Sequence, residues 1–396
     1  MIIGELCNNK NFEKRFYLQK DLYTFLSYKY KRFYFINIFY ILNKKQSGKK
    51  YSFYKKNIII FNPKNITELN NFLKKNKIFL INNLSIKLSH IFYHYLVSKK
   101  NIFQVSFTNI AIFSNYKIEN WDHANFVQKI NFIFTKRISL ILHRILIILK
   151  VINQINILYV SEKKVFFRYN RYYNRKSFFR KRYRSILKTN IKKPFLKKIK
   201  KNKNKYVTFI DSNILHLDYI KRGQILNEQL LKNYFYFLKN YLITLQKIFK
   251  KEVVVCLHPS SNIKLYKKEL NRFKMYKYQT EKYIFNSYIL LFHDSSSIFS
   301  GILLKKKIIL LKSATMGLYA NRRVEFYTKK IKLVCHNIEK KISVNKKKLT
   351  KNLNNNLKKY DLFLNKFYFY KNNSLSIEKL IDKEIKKLIL FFISIF

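Results

Sequence analysis

Scarce residue types cluster in about a quarter of this 396-residue chain: Asp211, His216, Asp218, Gly223, His258, Pro259, His293, Asp294 and Gly301. The chain is built mostly from Lys, Asn, Ile, Phe and Tyr, with only 5 Gly, 3 Pro and 8 His, so such a cluster is not filler. Imidazoles, hydroxyls and free backbone N–H groups are the chemistry that holds a phosphate and stabilises a leaving group. Three local patterns offer it. Asp211 and Ser212 follow YVTFI (206–210), His258, Pro259, Ser260 and Ser261 follow EVVVCL (252–257), and His293, Asp294 and Ser295 to Ser297 follow YILLF (288–292).

Each preceding run is apolar, short and rich in β-branched or aromatic residues, which reads as a buried strand. Between them, a helix from about Glu228 to Lys250 carries Leu231, Phe235, Leu238, Leu242, Leu245 and Phe249 on one stripe. FKMYK (273–277), a short helix from Thr280, a helix from about Ser296 to Leu304 and the strand KIILL (307–311) complete a doubly wound α/β domain. In such a sheet, ligands bind beyond the carboxyl ends of the strands, so the three patterns are expected on one rim. HDSSSIFSGILL adds a serine cluster at a helix start, which suits an anion, although one serine there is equally a helix cap. Pro259 is expected to fix the path of its loop.

The first half alternates in the same way. NIIIF (57–61), KIFLI (77–81) and IFQVSF (102–107) read as strands, and Asn65 with Glu68 forms a capping box. The segment 85–98 places Leu88, Ile91, Phe92, Tyr95 and Leu96 on one helical face. His90 and His94 lie four apart on it, but no third ligand follows, so a structural role is expected over a metal pair.

The net charge of +62, from 82 Lys and Arg against 20 Asp and Glu, suggests an anionic partner. The lysines are spread through the chain, as in a coding sequence biased toward A and T, and mark no groove; a specific nucleic-acid partner is not expected, an anionic inner-membrane surface is. Three widely spaced cysteines, Cys7, Cys256 and Cys335, imply a reducing compartment. The N-terminus lacks a secretory pattern. The apolar stretch 138–160 is interrupted by His143, Arg144, Lys150 and Gln154, so it reads as an amphipathic or buried helix, and the apolar final ten residues are too short to cross a bilayer. The basic, aromatic run 166–205 marks an inter-domain linker. Expected boundaries are therefore a first domain over 1–165, a linker over 166–205, a second domain over 206–345 and a helical tail over 346–396.

The ordered set FIDSNILHLDY (209–219), VVVCLHPSSN (253–262), YQTEKYIFNS (278–287) and HDSSSIFSGILLKKKIILL (293–311) resembles the bacterial surface-carbohydrate glycosyltransferases of the two-Rossmann-domain (GT-B) type, including sialyltransferase-like and polysialyltransferase-like members. The resemblance covers about residues 200 to 315. It implies two Rossmann-like domains facing across a cleft and a nucleotide-sugar donor, of cytidine monophosphate type, as substrate with no cofactor or metal. It implies phosphate contacts from His258, Pro259, Ser260, Thr280, Ser295, Ser296 and Ser297. The family's His-Pro-Asp is His216, Leu217 and Asp218 here, and its Gly-Lys-Pro is Lys305 to Lys307. Candidates for the catalytic group are Asp211, His216, Asp218 and His293, with Asp122 and Glu5 as further acidic residues in the first domain. The implied reaction extends a surface glycan or glycolipid at the cytoplasmic face of the inner membrane. A polyol-phosphate transferase using a cytidine diphosphate donor, with His258 and His293 paired, is the chemical alternative. A basic RNA- or membrane-binding protein working through 166–205 is the non-enzyme alternative.

Overall fold

The computed structural model describes residues 1–8, 16, 19–43, 55–107, 138–160, 183–188, 204–340, 345–368 and 377–393, apart from 85–86, 101, 140, 154, 221–223 and 225. The chain divides into two compact units: residues 1–110, 130–191 and 367–396, and residues 111–129 and 192–366.

The first unit is built on a wholly parallel seven-stranded sheet in the order β3-β2-β1-β4-β5-β6-β7. Its strands are β1 (Ile2–Cys7), β2 (Phe33–Asn37), β3 (Ile58–Phe61), β4 (Ile78–Asn82), β5 (Phe103–Phe107), β6 (Ile155–Val160) and β7 (Tyr183–Lys188). Helices α1 (Lys20–Lys29), α2 (Phe39–Leu42), α3 (Ile66–Lys75) and α4 (Leu88–Lys99) connect the earlier strands. Asn65 caps α3 as expected, its side chain accepting from the Glu68 N–H at 2.8 Å, while Glu68 reaches back to the Lys64 N–H at 2.7 Å.

The second unit holds a parallel six-stranded sheet in the order β10-β9-β8-β11-β12-β13. Its strands are β8 (Tyr206–Ile210), β9 (Glu252–Leu257), β10 (Lys274–Lys277), β11 (Ser287–Phe292), β12 (Lys307–Lys312) and β13 (Val334–Asn337). The helices are α5 (Leu217–Ile220), α6 (Glu228–Phe249), α7 (Ile263–Glu269), α8 (Thr280–Asn286), α9 (Ile298–Leu303), α10 (Gly317–Ile331), α11 (Lys346–Leu357) and α12 (Tyr360–Phe367). The final helix, α13 (Ile377–Ile393), returns to the first unit. Both sheets reverse their strand order beside their first strand, so the α/β, doubly wound expectation holds twice.

Side-chain pattern explains the second core. The α6 stripe expected from sequence buries Phe235, Leu238, Leu242, Leu245 and Phe249 against Val253, Val255 and Leu257 of β9. Asn227 caps this helix, accepting from the Leu230 N–H at 2.8 Å.

Four expectations differ from the structure. The linker 166–205 contains a strand: β7 pairs parallel with β6 and extends the first sheet, a ladder that backbone groups make whatever the side-chain charge. The tail 346–396 is no separate element: Leu349 and Leu353 of α11 enter the second core, and Ile381 and Ile385 of α13 enter the first. The stretch 138–160 is not one helix; helical residues over 141–148 give way to the strand β6. On α4 the buried face is His90, Tyr93, His94, Leu96, Val97 and Ser98, whereas Leu88 and Phe92 are exposed. Both of its histidines are structural: Asn8 Nδ2 lies 2.9 Å from His90 Nε2, and Asn82 Nδ2 lies 3.3 Å from His94 Nδ1. Glu5 is likewise buried in mid-strand, where it accepts from the Tyr23 hydroxyl. Asp122 lies outside the described residues.

Candidate functional site

The site grows from the carboxyl ends of β8, β9 and β11, which adjoin because β8 sits between the other two. Asp211 continues β8, its N–H donating to the Cys256 carbonyl at 2.9 Å. Its carboxylate is buried and accepts four hydrogen bonds. The Asn213 N–H (2.8 Å) and Tyr266 hydroxyl (2.6 Å) reach Oδ1, while the His258 N–H (3.1 Å) and Ser261 hydroxyl (2.5 Å) reach Oδ2. All of its acceptor capacity thus goes into joining β8, the turn after β9 and helix α7. Asp211 therefore corrects the expectation of a catalytic acid or base: it is the keystone of the loop that carries His258.

That loop is a tight turn, closed by the Ser261 N–H donating to the His258 carbonyl at 2.9 Å. Pro259 takes the second turn position, where its fixed φ is favourable. Asn262 then caps α7, accepting from the Lys264 N–H at 3.1 Å. The Ser260 N–H lies 3.2 Å from His258 Nδ1, and the Ser260 Oγ lies 2.6 Å from the same nitrogen. Because a backbone N–H can only donate, Nδ1 is the acceptor and Nε2 bears the proton. Ser260 is itself oriented by Asn213 Nδ2 at 3.1 Å, and Asn213 holds a left-handed φ of 59°, tolerable for asparagine. Pro259 and Ser260 thus hold the His258 imidazole in a pre-set tautomer and orientation at the rim.

The His216 ring stands 5.6 Å from that of His258 at 86°, and 6.1 Å from that of Tyr219. Two imidazoles therefore meet at this rim, although His258 and His293 were the expected pair. The side chain of Asp218 lies outside the described residues.

His293 points the other way. It is buried, with Nδ1 2.8 Å from the Leu311 carbonyl and Nε2 3.1 Å from the Tyr234 hydroxyl. A carbonyl only accepts, so Nδ1 carries the proton and Nε2 receives the Tyr234 O–H. Burial pushes its pKa down to about 4. A neutral imidazole with both nitrogens satisfied inside the core neither faces a phosphate nor exchanges a proton with substrate, so the catalytic and phosphate-facing expectation for His293 is overturned.

The next residue does face the rim. Asp294 pairs with Arg323 of α10, Nε to Oδ1 2.9 Å, and its N–H donates to Ser212 Oγ at 3.2 Å. The Tyr219 hydroxyl donates to its carbonyl at 3.3 Å. These contacts join the His216 loop to the serine loop. Ser295 accepts from the Ser297 N–H at 3.3 Å, and the Ser295 and Ser296 carbonyls accept from Ile298 and Phe299 as α9 begins. Ser296 is exposed, Ser295 and Ser297 half-buried.

Thr280 opens α8 beyond β10 and is half-buried. Lys277 links that strand end to the His258 turn, its ammonium donating to the Ser261 carbonyl at 3.4 Å. Tyr278 beside it holds a φ of 62°, uncommon for a bulky residue and a mark of constraint at this rim. Arg323, Tyr219, Asn213 and Tyr266 are the supporting residues that sequence reasoning missed, whereas Ser212 was among the strand-end residues expected there. Arg323 lies 29 residues beyond Asp294 with no local pattern to connect them.

No family model matches the chain, and no curated protein matches it significantly. Among solved structures it is similar to a variant of the wall teichoic acid polymerase TagF, at 14% identity and TM-score 0.49, over 98% of this chain and 90% of that one. It is also similar to a transferase from Siraitia grosvenorii solved with UDP, at 10% identity and TM-score 0.48, over 92% of this chain and 94% of that one. Acinetobacter baumannii MurG aligns at 7% identity and TM-score 0.40, over 98% of this chain and 99% of that one.

Proposed function

We propose that the chain is a glycosyltransferase that takes a nucleotide-sugar donor, of cytidine monophosphate type, on the rim of its second sheet and extends a surface glycan or glycolipid. The observation that carries this reading is the rim itself. At the reversal of strand order, Asp211 fixes the His258 turn, and Asp294 with Ser212 and Tyr219 ties it to Ser295–Ser297. Donors on both loops are pre-organised, so they stabilise charge on a departing nucleotide without reorganising. His258 Nε2–H and the serine cluster are assigned to the phosphate, with Ser260 orienting the imidazole through Nδ1, Thr280 at the nucleoside side and no metal or other cofactor. With Asp211 and His293 absorbed into structure, His216 beside His258 is the candidate for the acceptor's proton, and Asp218 is the other candidate from the sequence.

The test is calorimetric titration of CMP, CDP and UDP into wild-type and His258→Ala protein. Loss of one charge-assisted hydrogen bond should weaken CMP by about 10- to 100-fold. Equal affinity in the variant, or no binding by wild type, sinks the assignment.

The juxtaposition of His216 and His258 also supports the polyol-phosphate alternative, now through this pair instead of His258 with His293. Product analysis with cytidine diphosphate glycerol against a cytidine monophosphate sugar separates the two. A cytoplasmic location at the membrane face completes the reading. The run 166–205 invoked for RNA binding lies outside the described residues except 183–188 and 204–205.

A further inference from the structure

The helical residues over 141–148 present two unlike faces. The inner one buries His143 and Ile147, and the His143 ring meets that of His94 at 5.1 Å. The outer one carries Ile138, Ile141, Leu142, Ile145 and Leu149, all exposed. These five fall at i, i+3, i+4, i+7 and i+11, so they share a single stripe. Ile141 is 52% exposed, Ile145 45% and Leu149 64%, positions where a helix facing only water ordinarily carries Lys, Glu or Gln. Val151, just past the helix end, is also exposed, as are the cations Arg144 and Lys150. Five large aliphatic side chains in one row exceed the scattered exposure that needs no explanation.

We infer that this face docks on an anionic lipid surface, with the aliphatic row entering the boundary between headgroups and acyl chains and these cations meeting lipid phosphates. Charge selects the occupant. A chain of net charge +62 repels a second copy of itself, whereas each basic residue near an anionic bilayer adds attraction. Length selects the mode. The row spans roughly 17 Å at the helical rise per residue, enough to lie in the interface plane and too little to cross it. Among the described residues no helix is long and apolar enough to cross a membrane. The docking face belongs to the first unit and the donor rim to the second, so this inference does not rest on the proposed reaction.

Sedimentation of the full chain with vesicles tests it. Wild type should partition onto phosphatidylglycerol-containing vesicles and weakly onto pure phosphatidylcholine, with raised salt weakening but not abolishing the former. The combined Ile141→Gln, Ile145→Gln and Leu149→Gln variant should bind the anionic vesicles at least about 10-fold more weakly and lose the salt-resistant part. A Leu149→Trp variant, read separately, should gain fluorescence quenching by brominated lipid over wild type. Triple-variant binding equal to wild type would show that diffuse charge alone holds the protein and would overturn the inference. So would the absence of any added quenching in the vesicle-bound Leu149→Trp variant. A change in self-association by light scattering with unchanged vesicle binding would assign the face to protein contact instead.

Discussion

Two residues at the ends of neighbouring strands look alike in sequence and do opposite things. His258 and His293 each follow an apolar run, yet one stands at the rim and the other lies in the core with Tyr234, 59 residues earlier in the chain. Strand-end position was legible; which way the ring turns was not, because it depends on a phenol brought in by α6. The same holds for Asp211, whose partners come from two later segments. Its removal has a clear expected cost. Asp211→Ala leaves two hydroxyls and two N–H groups without their acceptor, for a loss of about 3 to 5 kcal/mol in denaturant unfolding, together with nucleotide binding. Asp211→Asn preserves part of the network and should retain both nucleotide binding and turnover, whereas a general base so changed would keep binding and lose turnover. His293 gives a pH signature. Its folded pKa of about 4 lies below the ordinary 6.5, so between those values the unfolded chain binds a proton that the folded one does not. Stability therefore falls as pH drops from about 6.5 to 4 and then levels, by roughly 3 kcal/mol in all. In His293→Gln this slope should disappear, so the gap between variant and wild type narrows on acidification in parallel urea titrations.

At the scale of elements, the alternation of strands and helices was readable wherever β-branched runs were bounded by polar residues, as in β8, β9 and β12. The α6 stripe was readable because its spacing repeats over 22 residues. On the 12-residue α4 the spacing points to the wrong face, since apolar residues occupy both sides and only the packing of His90 and His94 decides. Helix α10 was missed, although it carries the stripe Ala320, Val324, Tyr327 and Ile331, as was strand β13, only 4 residues long, and with them went Arg323. The serine loop depends on how closely α9 lies on the sheet. A Cβ added at Gly301 would come within 2.9 Å of Leu290 Cδ1 and 3.1 Å of Ile308 Cδ1, on the strands to either side. Gly301→Ala should force α9 outward at a cost of about 1 to 3 kcal/mol and weaken nucleotide binding by displacing Ser295–Ser297. Thermal unfolding and titration of the same variant check both effects.

Across the whole molecule, two Rossmann-like domains were anticipated, while the strand orders and the boundaries were not, because composition drifts little between units in so lysine-rich a chain. The important departure is α13. Ile381 and Ile385 are fully buried among Leu22, Tyr23, Phe33 and Phe35, and Asp382 accepts from Tyr30 at 2.5 Å and pairs with Lys29 at 2.7 Å. Ile385→Ala should destabilise the first unit by about 2 to 5 kcal/mol, lowering amide-exchange protection in β1 and β2 while β8 and β9 keep theirs. The same helix sets an order of events during synthesis. The first unit's strands leave the ribosome early but lack the side chains that α13 supplies, whereas the second core, among the described residues, is drawn from positions 207 to 353. Native packing of the first core is therefore expected to await residues 377–393, and protease resistance of ribosome-arrested chains ending before and after that helix checks the dependence.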